Sequence, residues 1–185
     1  MFYKTLVKDH IRVSPELFAK PTKDAITEEI KKQYEGFINK DMGVVIDVYD
    51  ISKIDEGVVI PGDGAAYFDT EFTLITYKPE LQEVIPGQIK DIADFGAFIT
   101  MGPLDGMIHI SQTMDDFVSF SKDKVLLGKE SKRNLKVNDK CKARIIAVSY
   151  KDIANPKIGL TMRQEQLGKL EWIEETNQKK AAKKE

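Results

Sequence analysis

Asp94-Phe95-Gly96-Ala97-Phe98-Ile99, followed by Asp105-Gly106 and then His109-Ile110-Ser111, is the stretch on which the fold turns. Phe95 and Phe98 are three apart, so a regular strand would place them on opposite faces. Gly96 between them permits a bulge, and a bulge can turn both rings to one face. Two exposed rings on a sheet, joined by the His109 imidazole from the next strand, make a platform on which bases stack with little sequence preference. The plainer alternatives stand beside this reading. Either phenylalanine would also serve as core, and His109 would also serve as a ring satisfied at a strand end.

Outward from this stretch the chain reads as strand after strand. Val84–Ile92, Gly96–Met101, Gly106–Ile110, Val137–Tyr150 and Lys157–Met162 are predicted strands separated by turn residues. Five strands over this length predict a small closed barrel, and the OB-fold is the common five-stranded solution. Within the fourth strand Lys140, Lys142 and Arg144 share one side, and Cys141, Ala143 and Ile145 the other. That is the pattern of a half-buried strand beside a phosphate path. Arg163–Glu175 returns to helical spacing, with Leu167, Leu170 and Trp172–Ile173 facing inward, and the polar Lys179–Glu185 tail is expected to fray.

The first eighty residues differ. Phe2–Val13 reads as a strand, and Ser14-Pro15-Glu16 ends it. Ile26, Ile30, Tyr34, Phe37 and Ile38 form one apolar stripe, which predicts a helix over Thr22–Ile38. Val44–Ile51 is a predicted strand with Val44, Ile46 and Val48 on one face. Val58–Ile60 is a short extended piece, Pro61-Gly62-Asp63-Gly64 a turn, and Tyr67–Tyr77 a further strand. One helix covers one face of such a sheet, so the other face or an edge is expected to be covered by something else. The predicted organisation is therefore an α+β domain over residues 1–80 and an OB-fold barrel with a carboxy-terminal helix and tail over 81–185.

Charge follows the same division. The 185 residues carry a formal net charge of −2, which by itself argues against a nucleic-acid binder. Residues 1–80 hold 10 basic and 15 acidic side chains, whereas 81–170 hold 14 and 11. Lys122–Arg144 alone carries nine bases against three acids. The total is a cancellation between two modules with different partners, although a lysine-rich solvated loop would read the same way.

Other chemistries are weak. Asp94-Phe95-Gly96 lacks the companion motifs of a kinase, and His109 with Ser111 lacks an oxyanion motif. Gly62-Asp63-Gly64 lacks the Gly-Lys-Ser/Thr of a phosphate loop, and Gly128-Lys129 is followed by Glu130. Cys141 is the single cysteine and there are two histidines, too few for a conventional structural zinc site. Asp115-Asp116 is an isolated acidic pair, short of the cluster a metal-dependent nuclease needs. No cofactor and no catalytic site are expected. The longest apolar runs fall far short of the ~18 residues of a membrane span, and no basic-then-apolar leader opens the chain. The cytoplasm is the expected compartment.

The Asp94–Phe98 string with His109-Ile110-Ser111 about a dozen residues later resembles the S1 RNA-binding domain, over residues 82–162. In that family the platform positions fall on Phe95, Phe98 and His109, and the positions around the last hairpin fall on Asp152 and Lys157. Two departures are visible. Asn138-Asp139 stands where the family has Gly-Asp, and the segment from Ser111 to Val137 is enlarged. The whole chain, from Met1-Phe2-Tyr3-Lys4 to Leu167-Gly168-Lys169-Leu170-Glu171-Trp172-Ile173, resembles the family of archaeal RNA polymerase stalk subunits called E-prime, similar to the seventh subunit of eukaryotic RNA polymerase II. The resemblance implies a truncated RNP-like first module and a heterodimer with the small stalk subunit of the polymerase. It implies docking on the polymerase core near the clamp through Val59, Ile60, Pro61, Gly62, Asp63 and Gly64. It also implies a barrel that meets emerging single-stranded RNA, supporting initiation and elongation. A free ribosome-associated or translation factor built on the same barrel is the alternative.

Overall fold

A computed structural model describes residues 1–121 and 123–181, with side chains through 178. Lys122 of the basic window and residues 182–185 of the tail lie outside the described residues. The chain forms two compact units, Met1–Lys78 and a second beginning at Pro79.

In the first unit, β1 (Phe2–Val13), β2 (Ile38–Asn39), β3 (Gly43–Ile54), β4 (Val58–Val59) and β5 (Ala66–Tyr77) form one sheet. Its order is β1-β5-β3-β2, with β4 also paired to β5. Helix α1 (Thr22–Tyr34) lays Ala25, Ile26 and Ile30 against Ile11, Val13, Val45, Ile51, Phe72 and Leu74. The helix stops four residues before the predicted Ile38. Glu35 turns extended and Gly36 takes a φ of +77°, which ends the helical ladder. Phe37 is consequently exposed and Ile38 opens β2.

The predicted alternation of β3 is also corrected. Register shifts at Val45/Asp47, Val48/Asp50 and Ile51/Lys53 insert an extra residue each time. Three bulges convert a period of two into a period of three. Val45, Val48, Ile51 and Ile54 therefore pack toward the helix side, not Val44, Ile46 and Val48 as a set.

The second unit is a closed barrel. Its strands are β6 (Val84–Ala93), β7 (Gly96–Thr100), β8 (Asp105–His109), β12 (Lys140–Ser149) and β13 (Lys157–Thr161). They run in the order β13-β8-β7-β6-β12, and β12 closes the ring by pairing back to β13. The β13–β8 pair is parallel and the others are antiparallel. Ile89, Ile92, Ala97, Ile99, Ile108, Cys141, Ala143, Ile145, Ile158 and Leu160 fill the interior.

The enlarged segment is not a loop. Between β8 and β12 it forms a three-stranded sheet of β9 (Val118–Ser121), β10 (Val125–Gly128) and β11 (Asn134–Lys136). Leu126 and Leu135 from this sheet are fully buried in the barrel's own core. Asp116 holds the sheet's turn: its carboxylate accepts the N–H groups of Phe117, Glu130 and Ser131 and the Ser131 hydroxyl. Those bonds, the Ser131 N–H first, hold the Asp116 pKa low.

The predicted start of the carboxy-terminal helix at Arg163 is corrected as well. Gln166 and Gly168 have φ of +63° and +111°. A short strand β14 (Gly168–Lys169) pairs with β12, and only then does α2 (Leu170–Ala181) begin. Lys169 fastens this junction through ion pairs to Asp139 at 3.1 Å and Glu171 at 2.8 Å. Trp172 is buried against the barrel, while Leu167, Leu170 and Ile173 are half-buried. Of the tail expected to fray, Lys179–Ala181 continue the helix.

Candidate nucleic-acid interface

The two phenylalanine rings meet, but not by the route expected. Asp94 and Phe95 form the two-residue turn of a hairpin in which Ala93 pairs with Gly96. Phe95 thus leaves the strand at the turn while Phe98 stays in β7. The rings contact edge to face, with centroids 5.9 Å apart and planes at 88°. The bulge in this hairpin lies instead at Ile89/Asp91 in β6. Gly96 has a different task. It pairs with His109, and a Cβ there would stand 2.2 Å from the Ile108 carbonyl oxygen. Only glycine lets β7 and β8 approach here.

Direct partners across antiparallel strands share a face. Phe98 lies between Asp91 of β6 and Met107 of β8, and Gly159 of β13 adjoins Met107. Ala97, Ile99 and Ile108 point the other way, into the core. The outer wall of β6–β7–β8 therefore presents Phe98 and Met107, with Phe95 (47% exposed) at its rim. His109 ends β8 beside Gly96. Its Nδ1 accepts the Ser111 N–H at 3.3 Å and lies 2.9 Å from the Ser111 hydroxyl. Accepting the N–H at Nδ1 leaves Nε2 as the protonated nitrogen of the neutral ring. Ser111 itself sits in the short 3-10 turn Ile110–Gln112, not on the strand.

The other predicted residues fall elsewhere on the barrel. Lys157 opens β13 opposite Ser149, and Asp152 lies in the preceding loop, where its carboxylate accepts the Ala154 N–H at 3.1 Å. Lys140, Lys142 and Arg144 pair with Gln88, Pro86 and Val84, on the opposite edge of β6 from β7. Their alternation with buried Cys141, Ala143 and Ile145 is as read from the sequence. Lys140 and Lys142 are exposed, whereas Arg144 is half-buried and its Nε has no hydrogen-bond partner. The structure brings together the three platform residues and sets the basic row apart from them.

Two ion pairs beside the platform carry no signal in the sequence. Lys90 meets Asp105 at 2.5 Å, and Lys124, in the β9–β10 turn, meets Asp91 at 2.7 Å. No local pattern links residues 33 positions apart, so only the packing of the inserted sheet reveals the second. Asp115, isolated in the sequence, is paired with Arg163 at 2.7 Å.

The Val59–Gly64 loop belongs to the first unit alone. Val58, Val59 and Ile60 are all exposed, three apolar side chains in a row. The turn beyond them uses Gly62 and Gly64 at φ of +96° and +71°. Asp63 accepts two hydrogen bonds from Arg12 and one from the Tyr67 hydroxyl. Among the described residues, no helix is long and apolar enough to cross a membrane.

Residues 8–64 match the SHS2 domain found in the N terminus of Rpb7p/Rpc25p/MJ0397, and residues 78–153 match the S1 RNA binding domain. The chain is 39% identical over 168 residues to the DNA-directed RNA polymerase subunit Rpo7 of Saccharolobus solfataricus, covering 90% of this chain and 93% of that one. It is 36% identical to Rpo7 of Sulfolobus acidocaldarius, covering 94% and 95%. Against the DNA-directed RNA polymerase III subunit rpc8 of Schizosaccharomyces pombe it is 36% identical over 66% of this chain and 61% of that one. The two Rpo7 relatives, matched over nearly their full length, are polymerase subunits, so the translation-factor alternative falls. An SHS2 module followed by an S1 barrel, matched along almost its whole length by Rpo7 proteins, places this chain in the Rpo7 family of DNA-directed RNA polymerase subunits.

Proposed function

We propose that this chain is a non-catalytic stalk subunit of DNA-directed RNA polymerase that holds emerging single-stranded RNA. The observation that carries the reading is the match to Rpo7 over 90% of this chain and 93% of the relative, which spans both modules in order. The first module docks on the polymerase core near the clamp through the exposed Val59-Ile60-Pro61-Gly62-Asp63-Gly64 loop. It forms a heterodimer with the small stalk subunit, whose surface covers the part of the sheet α1 leaves open. The barrel takes RNA on Phe95, Phe98 and His109, with Asp152 and Lys157 on the adjoining hairpin and Lys140, Lys142 and Arg144 as a further basic row. Stacking and phosphate charge supply the affinity, so the grip is tolerant of sequence and supports initiation and elongation alike. The work is done in the cytoplasm, and no cofactor enters it.

Co-purification of the tagged full chain from native extract at moderate salt tests this reading. Recovery with stoichiometric polymerase core subunits and one small partner is expected. Recovery with ribosomal subunits in their place would overturn it. Phe95→Ala/Phe98→Ala/His109→Ala should lose RNA affinity yet still be recovered with polymerase.

A further inference from the structure

Lys124 sits at the turn of the inserted sheet with a φ of +55°, and its Nζ lies 2.7 Å from Asp91 Oδ1. Asp91 is the direct cross-strand partner of Phe98, so its carboxylate stands on the same outer wall as that ring. The row that starts at Lys124 therefore runs through Asp91, Phe98 and Met107. The inserted sheet cannot drift from this place, because Leu126, two residues on, is fully buried in the barrel core. The sheet thus delivers one ammonium group to the rim of the aromatic wall.

Both members of the pair remain wet, with side chains 58% and 49% exposed. An exposed pair of this kind holds weakly and exchanges partners readily. Asp91 is ionised, because Lys124 and then the Ile92 N–H hold its pKa below the usual carboxylate value. A bare carboxylate beside Phe98 would repel a phosphate backbone; the ammonium cancels it. The other base on this stretch, Lys90, is taken by Asp105 at 2.5 Å.

We propose that Lys124 is a phosphate ligand on the RNA path, with Asp91 occupying it until a strand arrives. This rests on the reading that the Phe95–Phe98–His109 wall binds single-stranded RNA. The strand lays a base on Phe98, and its backbone phosphate takes Lys124 from Asp91. The inserted sheet then forms one bank of the path, and Asp91 tempers the affinity of the site.

The signs of two substitutions separate this role from that of a simple strut. A strut is broken equally by losing either end, so both variants would change RNA binding in the same direction. A phosphate ligand with a competing anion responds in opposite directions. The experiment titrates the full chain into a short fluorescently labelled single-stranded RNA by anisotropy, with melting temperatures confirming the fold of each variant. Lys124→Met should weaken binding about three- to tenfold and flatten the slope of log affinity against log salt by about 0.7, the share of one phosphate contact. Asp91→Asn should tighten binding about two- to threefold by removing the competing charge. Shifts of the same sign, or no shift in either variant, would overturn the proposal. Phe95→Ala/Phe98→Ala/His109→Ala, measured on the same RNA, judges the underlying reading separately. If that variant loses affinity while the two single variants shift alike, only the role of Lys124 is refuted. If it binds normally while the single variants shift oppositely, the aromatic wall is refuted and with it the proposed path, and Lys124 meets phosphate on RNA that runs elsewhere.

Discussion

Arg12 and Asp63, 51 residues apart in sequence, meet in a two-point ion pair, Nε to Oδ2 at 3.0 Å and Nη2 to Oδ1 at 2.8 Å. Tyr67 adds its hydroxyl to the same carboxylate at 2.5 Å. The fork geometry fixes direction as well as distance, so the turn that ends the exposed Val58–Ile60 segment is held before any partner arrives. Arg12, first, and then Tyr67 lower the Asp63 pKa to about 2. A carboxylate depressed in the folded state stabilises above its unfolded value, near 4, and that contribution is lost as pH falls toward 2. Asp63→Ala should therefore speed amide exchange across residues 58–64 about tenfold at neutral pH, as expected for a loop freed to open locally. The same variant should bind polymerase more weakly while the helix–sheet core keeps its protection. Unchanged exchange in the loop would show that the clamp does not hold it.

Phe95 offers the cleanest test of stacking, because it sits in a turn, is exposed and lies outside the core cluster of the barrel among the described residues. Phe95→Ala should cost about 1–3 kcal/mol of RNA affinity per base stacked, with a melting temperature close to that of the parent. A loss of stability in step with the loss of affinity would return the ring to a structural role.

Salt dependence checks the electrostatic half. With three or four phosphate contacts, log affinity should fall against log salt with a slope of about −2 to −3 for single strands. An affinity indifferent to salt would leave stacking alone to hold the strand.

The inserted sheet should melt with the barrel. Leu126 is fully buried among barrel residues, so Leu126→Ala should cost about 2–5 kcal/mol through lost burial and an unfilled cavity. Calorimetry should show the whole second unit shifting downward in one transition. A separate low-temperature transition, with the barrel unmoved, would mean that the sheet is an independent appendage.

Cys141 should be inert in the folded protein. It is buried in the barrel, and burial, reinforced by Asp139, pushes its thiol up to about 12. A thiol-specific reagent at pH 8 should react only after denaturant is added. Rapid labelling of the native chain would contradict the packing of β12.

Some features are legible without coordinates because they are local. Turn residues after Ile92 separate two strands, and alternation along Cys141–Ile145 assigns inside and outside without a partner strand; that Asp94 and Phe95 are the turn itself comes only from the pairing of Ala93 with Gly96. The helix is legible through Ile26 and Ile30, but its end is not. Phe37 and Ile38 continue the apolar spacing, while Gly36 breaks the backbone, and periodicity does not weigh the two. The β3 pattern fails for a related reason. Bulges at three places change the period, and a bulge is a relation between two strands, invisible in one.

The site divides in the same way. The turn that holds Phe95 and the pairing of Gly96 with His109 come only from the strand register, but Phe95, Phe98 and His109 can be named as candidates from residue type and motif. Arg12 against Asp63, Lys124 against Asp91 and Asp115 against Arg163 cannot, because each joins segments that only folding brings together. By itself the sequence determined two modules, their order and the inside and outside of the long basic strand, all consequences of short-range backbone and packing preferences. The tertiary structure alone decided which charges stand beside that pair and that the enlarged segment is an ordered sheet. Those outcomes depend on long-range pairing and shared burial, which local sequence does not encode.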